Sequence, residues 1–217
     1  MKITKLVTQE RNTERVNMFL DNKFACGLSL NTVAKFNLFV GKELDDEEFN
    51  KILHDDLTER IFNRAVTYIS RAIKSEKQIR AYLTNLLYKK KGVWFDDLSK
   101  ELGKEIVDFV IEKLKSYSYI DDKEFAEQFV LSRVKNKPRG KYIIVSELIS
   151  KGINKDLAEQ TVDELIKDEY DILKRVFQKK YGESKLLKED RKKIDFLLRK
   201  GFDWDLIERL IKNESEK

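Results

Sequence analysis

The spacing of hydrophobic positions changes about a quarter of the way along the chain. In residues 1 to 30 apolar residues fall in short runs: Ile3, Leu6 and Val7, then Val16, Met18 and Leu20 alternating with Asn17 and Phe19, then Phe24 to Leu30. Such runs mark strands with one buried face, and Asp21-Asn22 between two of them predicts a hairpin turn. Asn31 or Thr32 is placed to cap a short helix through Phe36, with Gly41 as its breaker. Asp45-Asp46-Glu47-Glu48 opens another helix through Leu53, because carboxylates in a first turn complement the unpaired amides and the positive end of the dipole.

From Thr58 onward the period is helical, and it repeats. One face, with apolar residues at i, i+1, i+4 and i+5, occurs as Ile61, Phe62, Ala65, Val66, as Phe125, Ala126, Phe129, Val130, and as Ile172, Leu173, Val176, Phe177. A second helix follows each. Val145, Leu148 and Ile149 precede Gly152 at the offsets at which Ile194, Leu197 and Leu198 precede Gly201, and a glycine in that place closes a helix. After the glycines, Ile153, Leu157, Ala158 and Val162 match Phe202, Leu206, Ile207 and Ile211, which defines a third helix. The first unit has Ile79 and Leu83 where the middle one has Ile144 and Leu148, and Ile106, Val110, Ile111 and Leu114 for its third helix; its extra length falls around Lys89 to Asp97.

The expected fold is therefore mainly α: an elongated array of three tandem three-helix repeats behind a small N-terminal β-hairpin or sheet with short helices. The expected divisions are 1–56 for the N-terminal region, 57–120 for the first repeat with an insertion near 89–104, 121–169 for the second and 170–217 for the third. Stacked repeats of this kind present a long surface suited to an extended partner.

Composition agrees. Of 217 residues 38% are charged, one is proline and eight are glycine, which favours long helices on a heavily charged surface, and the net charge is +5. The basic residues cluster at the junction of the first and second helices of each unit: Arg71, Lys74, Lys77 and Arg80; Arg133, Lys135, Lys137, Arg139 and Lys141; Lys179, Lys180 and Lys185. In register, these junctions would form a broken basic stripe that attracts phosphates or an acidic protein surface in a salt-sensitive way. A lone Cys26 allows no intrachain disulfide and points to a reducing compartment. The N-terminal apolar run is too short for a signal peptide and there is no run of 18 apolar residues, so the cytoplasm is expected and no membrane contact.

Catalytic chemistry lacks its parts. His54 is the only histidine, so neither a zinc site nor a Ser-His-Asp triad nor a Cys-His dyad can be assembled from recognisable spacing, and the glycines are scattered rather than gathered into a phosphate loop. Asp45-Asp46, Asp96-Asp97 and Asp121-Asp122 read as helix caps rather than metal ligands. Tyr68, Tyr82, Tyr88, Tyr117, Tyr119, Trp94 and Trp204 are expected mostly in helix-helix seams, although aromatics of this kind can also stack on bases. No enzyme activity, metal or cofactor is expected.

Several stretches resemble the RecX family, bacterial modulators of the RecA recombinase. They are Tyr68-Ile69-Ser70-Arg71 with Ser75-Glu76-Lys77-Gln78-Ile79-Arg80-Ala81-Tyr82-Leu83, Tyr119-Ile120-Asp121-Asp122 with Phe125-Ala126, and Gly140 through Glu147-Leu148 to Lys151-Gly152-Ile153. Arg15-Val16-Asn17-Met18-Phe19-Leu20 and Gly27-Leu28-Ser29 are similar to longer members, and the enlarged first repeat around Gly92 to Leu102 departs from the pattern. The resemblance implies tandem three-helix repeats. It also implies binding along the groove of the RecA nucleoprotein filament with lowered ATPase, strand-exchange and repressor-cleavage activity. A monomer is expected, with Arg71, Arg133, Lys137 and Arg139 foremost in contact with recombinase or with single- or double-stranded DNA. The competing class is a direct DNA-binding regulator of helix-turn-helix type, for which Asn154 and Gln160 would read bases. A magnesium-dependent nuclease or phosphodiesterase lacks its ligands.

Overall fold

Asp21 and Asn22 both take positive φ, 47° and 66°, the backbone that a two-residue hairpin turn demands. They join β2 (Asn12–Leu20) to β3 (Lys23–Ser29), with Leu20 facing Lys23, and β1 (Ile3–Gln9) completes a three-stranded antiparallel sheet in the order β1-β2-β3. The alternation in β2 sends Val16, Met18 and Leu20 inward, where Met18 and Leu20 pack with Ile3, Leu28, Leu38, Leu44 and Ile52.

This computed structural model describes residues 1–95 and 98–215, and the chain divides into two units, Met1–Arg71 with Tyr82–Leu114 and Ala72–Ala81 with Lys115–Lys217. Asp96-Asp97, expected to cap a helix, lies outside the described residues.

In the first unit the sheet is followed by α1 (Leu30–Lys35) and α2 (Asp46–Ile69), then by most of α3 (Glu76–Lys90) and of α4 (Lys100–Ser116). Three local expectations are corrected. The cap of α1 is Ser29, whose hydroxyl accepts from the Thr32 amide, so neither Asn31 nor Thr32 holds that place; Thr32 is buried and turned to Asp56. The helix ends at Lys35 with Phe36 as its C-cap, and the residue that turns the chain directly after it is Asn37 with φ 47°, whose short amide tolerates the left-handed region, not Gly41. Asp45 does cap a helix, accepting from the Glu48 amide at 2.7 Å, but that helix does not stop at Leu53. It runs unbroken to Ile69, because His54-Asp55-Asp56-Leu57 contains no breaker and Asp56 and Leu57 are buried.

Asp56 binds this helix to the sheet. Its Oδ1 accepts from the Ser29 amide at 2.6 Å and the Thr32 hydroxyl at 3.2 Å, and its Oδ2 meets the Arg15 guanidinium at 3.0 Å. The same Arg15 donates to the Gly27 carbonyl, and Glu59, one turn along α2, accepts from Ser29 and Asn31. A buried carboxylate is tolerable because every donor it needs is present.

The second unit contains the start of α3 and six further helices in two triplets: α5 (Asp122–Asn136), α6 (Lys141–Ser150) and α7 (Lys155–Leu165), then α8 (Glu169–Tyr181), α9 (Arg191–Arg199) and α10 (Trp204–Ser215). The repeated apolar face is the buried one: Phe125, Ala126 and Val130 in α5, and Ile172, Leu173, Val176 and Phe177 in α8. Ile153, Ala158 and Val162 in the first triplet and Phe202, Ile207 and Ile211 in the second join the same core. Asp121 and Asp168 cap the opening helix of each triplet, each accepting from two amides.

Candidate functional site

Two of the three basic junctions, both within the second unit, lie against the start of a later helix triplet, and the two meetings are built alike. At the first, the amide of Glu76, which begins α3, donates to Asp122 Oδ1 at 2.9 Å, and the Ser75 hydroxyl donates to the Lys151 carbonyl at 2.7 Å. At the second, the amide of Lys141, which begins α6, donates to Glu169 Oε1 at 2.8 Å, and the Gly140 amide donates to the Lys200 carbonyl at 2.8 Å. Asp122 and Glu169 are each the first residue of the next unit's opening helix, so a carboxylate from one helix start fills the unpaired amide of another.

The closing glycines complete the joint. Gly152 and Gly201 take φ 95° and 89°, ending α6 and α9 in the left-handed turn. A Cβ on Gly152 would lie 2.5 Å from Lys77 Cβ, one on Gly201 would lie 2.6 Å from Ile143 Cγ1, and one on Gly140 would fall on the Gly201 carbonyl. Gly140 and Gly201 thus meet backbone against backbone, while the Lys77 stem and the Ile143 side chain lie directly on Gly152 and Gly201, leaving no room for a Cβ. Burial pushes the carboxyls of Asp122 and Glu169 above their ordinary values, although the amide each accepts from pulls the other way. Glu76 ends up below its usual value: burial opposes its charge, but hydrogen bonds from Arg80 and Lys115 outweigh it.

Within this frame many of the expected contact residues are engaged in holding the fold. Lys77 donates to the Ser150 carbonyl at 3.1 Å and lays its stem on Gly152. Arg80 pairs with Glu76 at 2.6 Å, and Lys141 with Asp163 at 2.7 Å. Arg133 and Arg139 share Glu147 at 2.6 and 3.7 Å, and Arg133 also covers the Phe129 ring. Lys180 sits 3.7 Å above the Phe196 ring, and Lys74 is half-buried. Arg71, Lys135, Lys137, Lys179 and Lys185 are exposed, and none of them forms an ion pair among the described residues.

One place recurs with different chemistry. Arg133 and Glu147 join the end of α5 to α6 by an ion pair, and the matching Lys180 and Phe196 join α8 to α9 by a cation over a ring. In the first unit Tyr68 and Tyr82 join α2 to α3 by stacked rings 4.1 Å apart. Tyr68 and Tyr82 lie in a seam as expected, but Tyr88, Tyr117, Tyr119 and Trp204 are exposed, so the expectation that most of the seven aromatics pack in seams is corrected.

The side chains that a base-reading helix would offer are occupied. Asn154 caps α7, accepting from the Asp156 amide, and Gln160 donates to Glu164. Among the described residues no group of three or more His, Cys, Asp or Glu could hold a metal, and no helix is long and apolar enough to cross a membrane. An open cleft of about 790 Å³ lies at the start of α9, lined by residues that include Lys180, Tyr181, Asp190, Arg191, Lys193 and Arg199. What sequence reading missed is Asp56 and Glu169, and the capping reading of Asp121-Asp122 holds for Asp121 on its own helix while Asp122 serves the start of α3. The carboxylates beginning α5 and α8 carry a signal in their matching position directly after a capping aspartate, but which helix they serve is a tertiary fact.

Family models describe these segments. The RecX N-terminal domain matches residues 1–45, the second RecX three-helix domain 121–162, and the third 167–211. Similar curated proteins include the regulatory protein RecX of Bacillus velezensis, 36% identical over 209 residues covering 94% of this chain and 74% of the relative. The regulatory protein RecX of Clostridioides difficile is 35% identical over 215 residues, covering 96% and 93%. A crystal structure of a regulatory protein RecX superimposes with a TM-score of 0.71 at 24% identity, over 98% of this chain and 99% of the other. RecX from Lactobacillus salivarius gives 0.54 at 24% identity, over 74% and 97%. At that identity the two structures speak to the fold.

Proposed function

The chain belongs to the RecX family of regulatory proteins, and from that premise we propose that it is a non-enzymatic modulator, mainly an inhibitor, of the RecA recombinase. It binds the RecA-DNA filament in the cytoplasm as a monomer and lowers ATPase, strand-exchange and coprotease activity. The observation that supports this most is the recurring joint, in which a helix-start amide is bonded to the carboxylate of a later helix triplet and lysines at the junctions stay exposed. A ligand of this kind acts by its differential affinity for two filament geometries, since equal binding to both would shift nothing.

Arg71, Lys135, Lys137, Lys179 and Lys185 are the contacts to acidic recombinase surface or filament DNA, because forming those contacts breaks no existing ion pair. Arg80, Arg133, Arg139 and Lys141 serve the fold first. The test is the ATPase of RecA on single-stranded DNA titrated with wild-type protein and with the Arg71→Glu, Lys135→Glu, Lys137→Glu, Lys179→Glu, Lys185→Glu variant. The wild type should inhibit, and the variant should need about tenfold more protein at low salt. Identical curves would discard these contacts; a wild type that leaves the ATPase untouched would discard the function.

A further inference from the structure

Three cations converge on one indole in the first unit. The Arg60 guanidinium lies 4.1 Å from the centre of the Trp94 ring, Lys90 Nζ 5.6 Å and the Arg64 guanidinium 5.9 Å. Arg60 and Arg64 are one turn apart on α2, Lys90 ends α3, and Trp94 stands in the turn just beyond it. Trp94 is half-buried, and both Arg64 and the flanking Val93 are exposed.

No carboxylate among the described residues pairs with any of the three cations. Asp56, one turn before Arg60, is committed to Arg15, Ser29 and Thr32. Burial, together with the neighbouring charges of Arg15 and Arg64 and against the pull of the Asp56 carboxylate, pushes the Arg60 guanidinium down to about 10. The ring face attracts each cation but carries no net charge to balance three of them. This differs from Arg133 and Arg139, which share Glu147. A like-charged cluster assembled on a rigid aromatic, with the forked donors of two arginines unfilled, is suited to oxygens spaced along a polyanion. Tyr88, on the last turn of α3, makes no ring contact among the described residues and is 84% exposed, which offers a face for an unpaired base.

We infer that Arg60, Arg64, Lys90 and Trp94, with Tyr88 beside them in sequence, form a binding site for the phosphate backbone of single-stranded nucleic acid, a contact that needs no recombinase. The chain has two tryptophans, so Trp204→Phe leaves Trp94 as the sole indole reporter. Titrating that variant with an oligothymidylate of about 16 nucleotides should change Trp94 emission with a strong salt dependence. Adding Arg60→Ala and Arg64→Ala should weaken binding at least about tenfold and reduce the salt slope by about 1.4. Arg60→Lys with Arg64→Lys, checked for native circular dichroism, keeps the charge and should retain most of the affinity. Oligonucleotide binding that leaves Trp94 emission unmoved, or equal affinity in the alanine variant, would overturn the site. Equal binding of a duplex of the same length would overturn the preference for single strands, and an equal response to polyglutamate would show an acid-binding protein surface instead.

Discussion

The amide of Glu76 donates to the carboxylate of Asp122 at 2.9 Å, across 46 residues of chain. The amide of Lys141 meets Glu169 in the same way at 2.8 Å. In both places a helix start that would otherwise hold an unpaired amide is closed by the carboxylate of the first helical residue of a later triplet, and a glycine turn packs alongside. Burying that carboxylate is the cost of the arrangement.

The cost has a pH signature. Asp122 and Glu169 are raised by burial, so the stability tied to them is fully present below their unfolded values, 3.8 and 4.5, and is lost as pH rises through the folded ones. Asp122→Asn with Glu169→Gln keeps an acceptor oxygen and removes the buried charge. Urea unfolding at neutral pH should show this variant as stable as wild type or more so, with its advantage vanishing in acid. Asp122→Ala, which removes the acceptor, should lose about 1 kcal/mol.

Glu76 has the opposite sign. Its lowered value means that its contribution is present above 4.5 and disappears as pH falls through the folded value. Glu76→Gln should therefore destabilise at neutral pH and converge on wild type in acid, checked by the same urea series.

Glycines of this chain should divide by neighbourhood. Gly140→Ala places a methyl on the Gly201 carbonyl and breaks the hydrogen bond to Lys200, so a loss of about 3 kcal/mol is expected in thermal or urea unfolding. Gly103 lies inside α4, where a Cβ would meet Leu98 and Leu87 at ordinary distances of 3.5 and 3.8 Å. Gly103→Ala should stabilise by about 0.5–1 kcal/mol.

Asp56→Ala should cost about 3 kcal/mol or more, because it strands Arg15 with a side chain only 13% exposed and leaves the Ser29 amide and Thr32 hydroxyl without their acceptor. The loss should appear in urea unfolding as a lower midpoint.

Cys26 should resist alkylation in the native state. Burial, with the Asp56 charge, pushes its thiol up to about 12, and Ellman's reagent should react with it only on unfolding.

Local chemistry made most of the elements legible in advance. The period-two run Val16, Met18, Leu20 and the Asp21-Asn22 turn specify the hairpin, and the thrice-repeated face from Ile61 to Phe177 specifies the opening helices, since periodicity records which side must leave water. Gly152 and Gly201 end their helices as read. The sequence also placed the basic residues at the junctions, but charge type alone does not say whether a cation faces solvent or a carboxylate. Tertiary structure decided that Arg133 and Arg139 spend themselves on Glu147 while Lys135 and Lys137 do not. It also decided that Asp122 caps a helix other than its own, and that Arg60, Arg64 and Lys90 gather on Trp94. Helix and turn preferences act over a few bonds and can be read from neighbouring residues; the pairing of charges and of helix ends depends on distances between segments far apart in the chain, which only the folded packing sets.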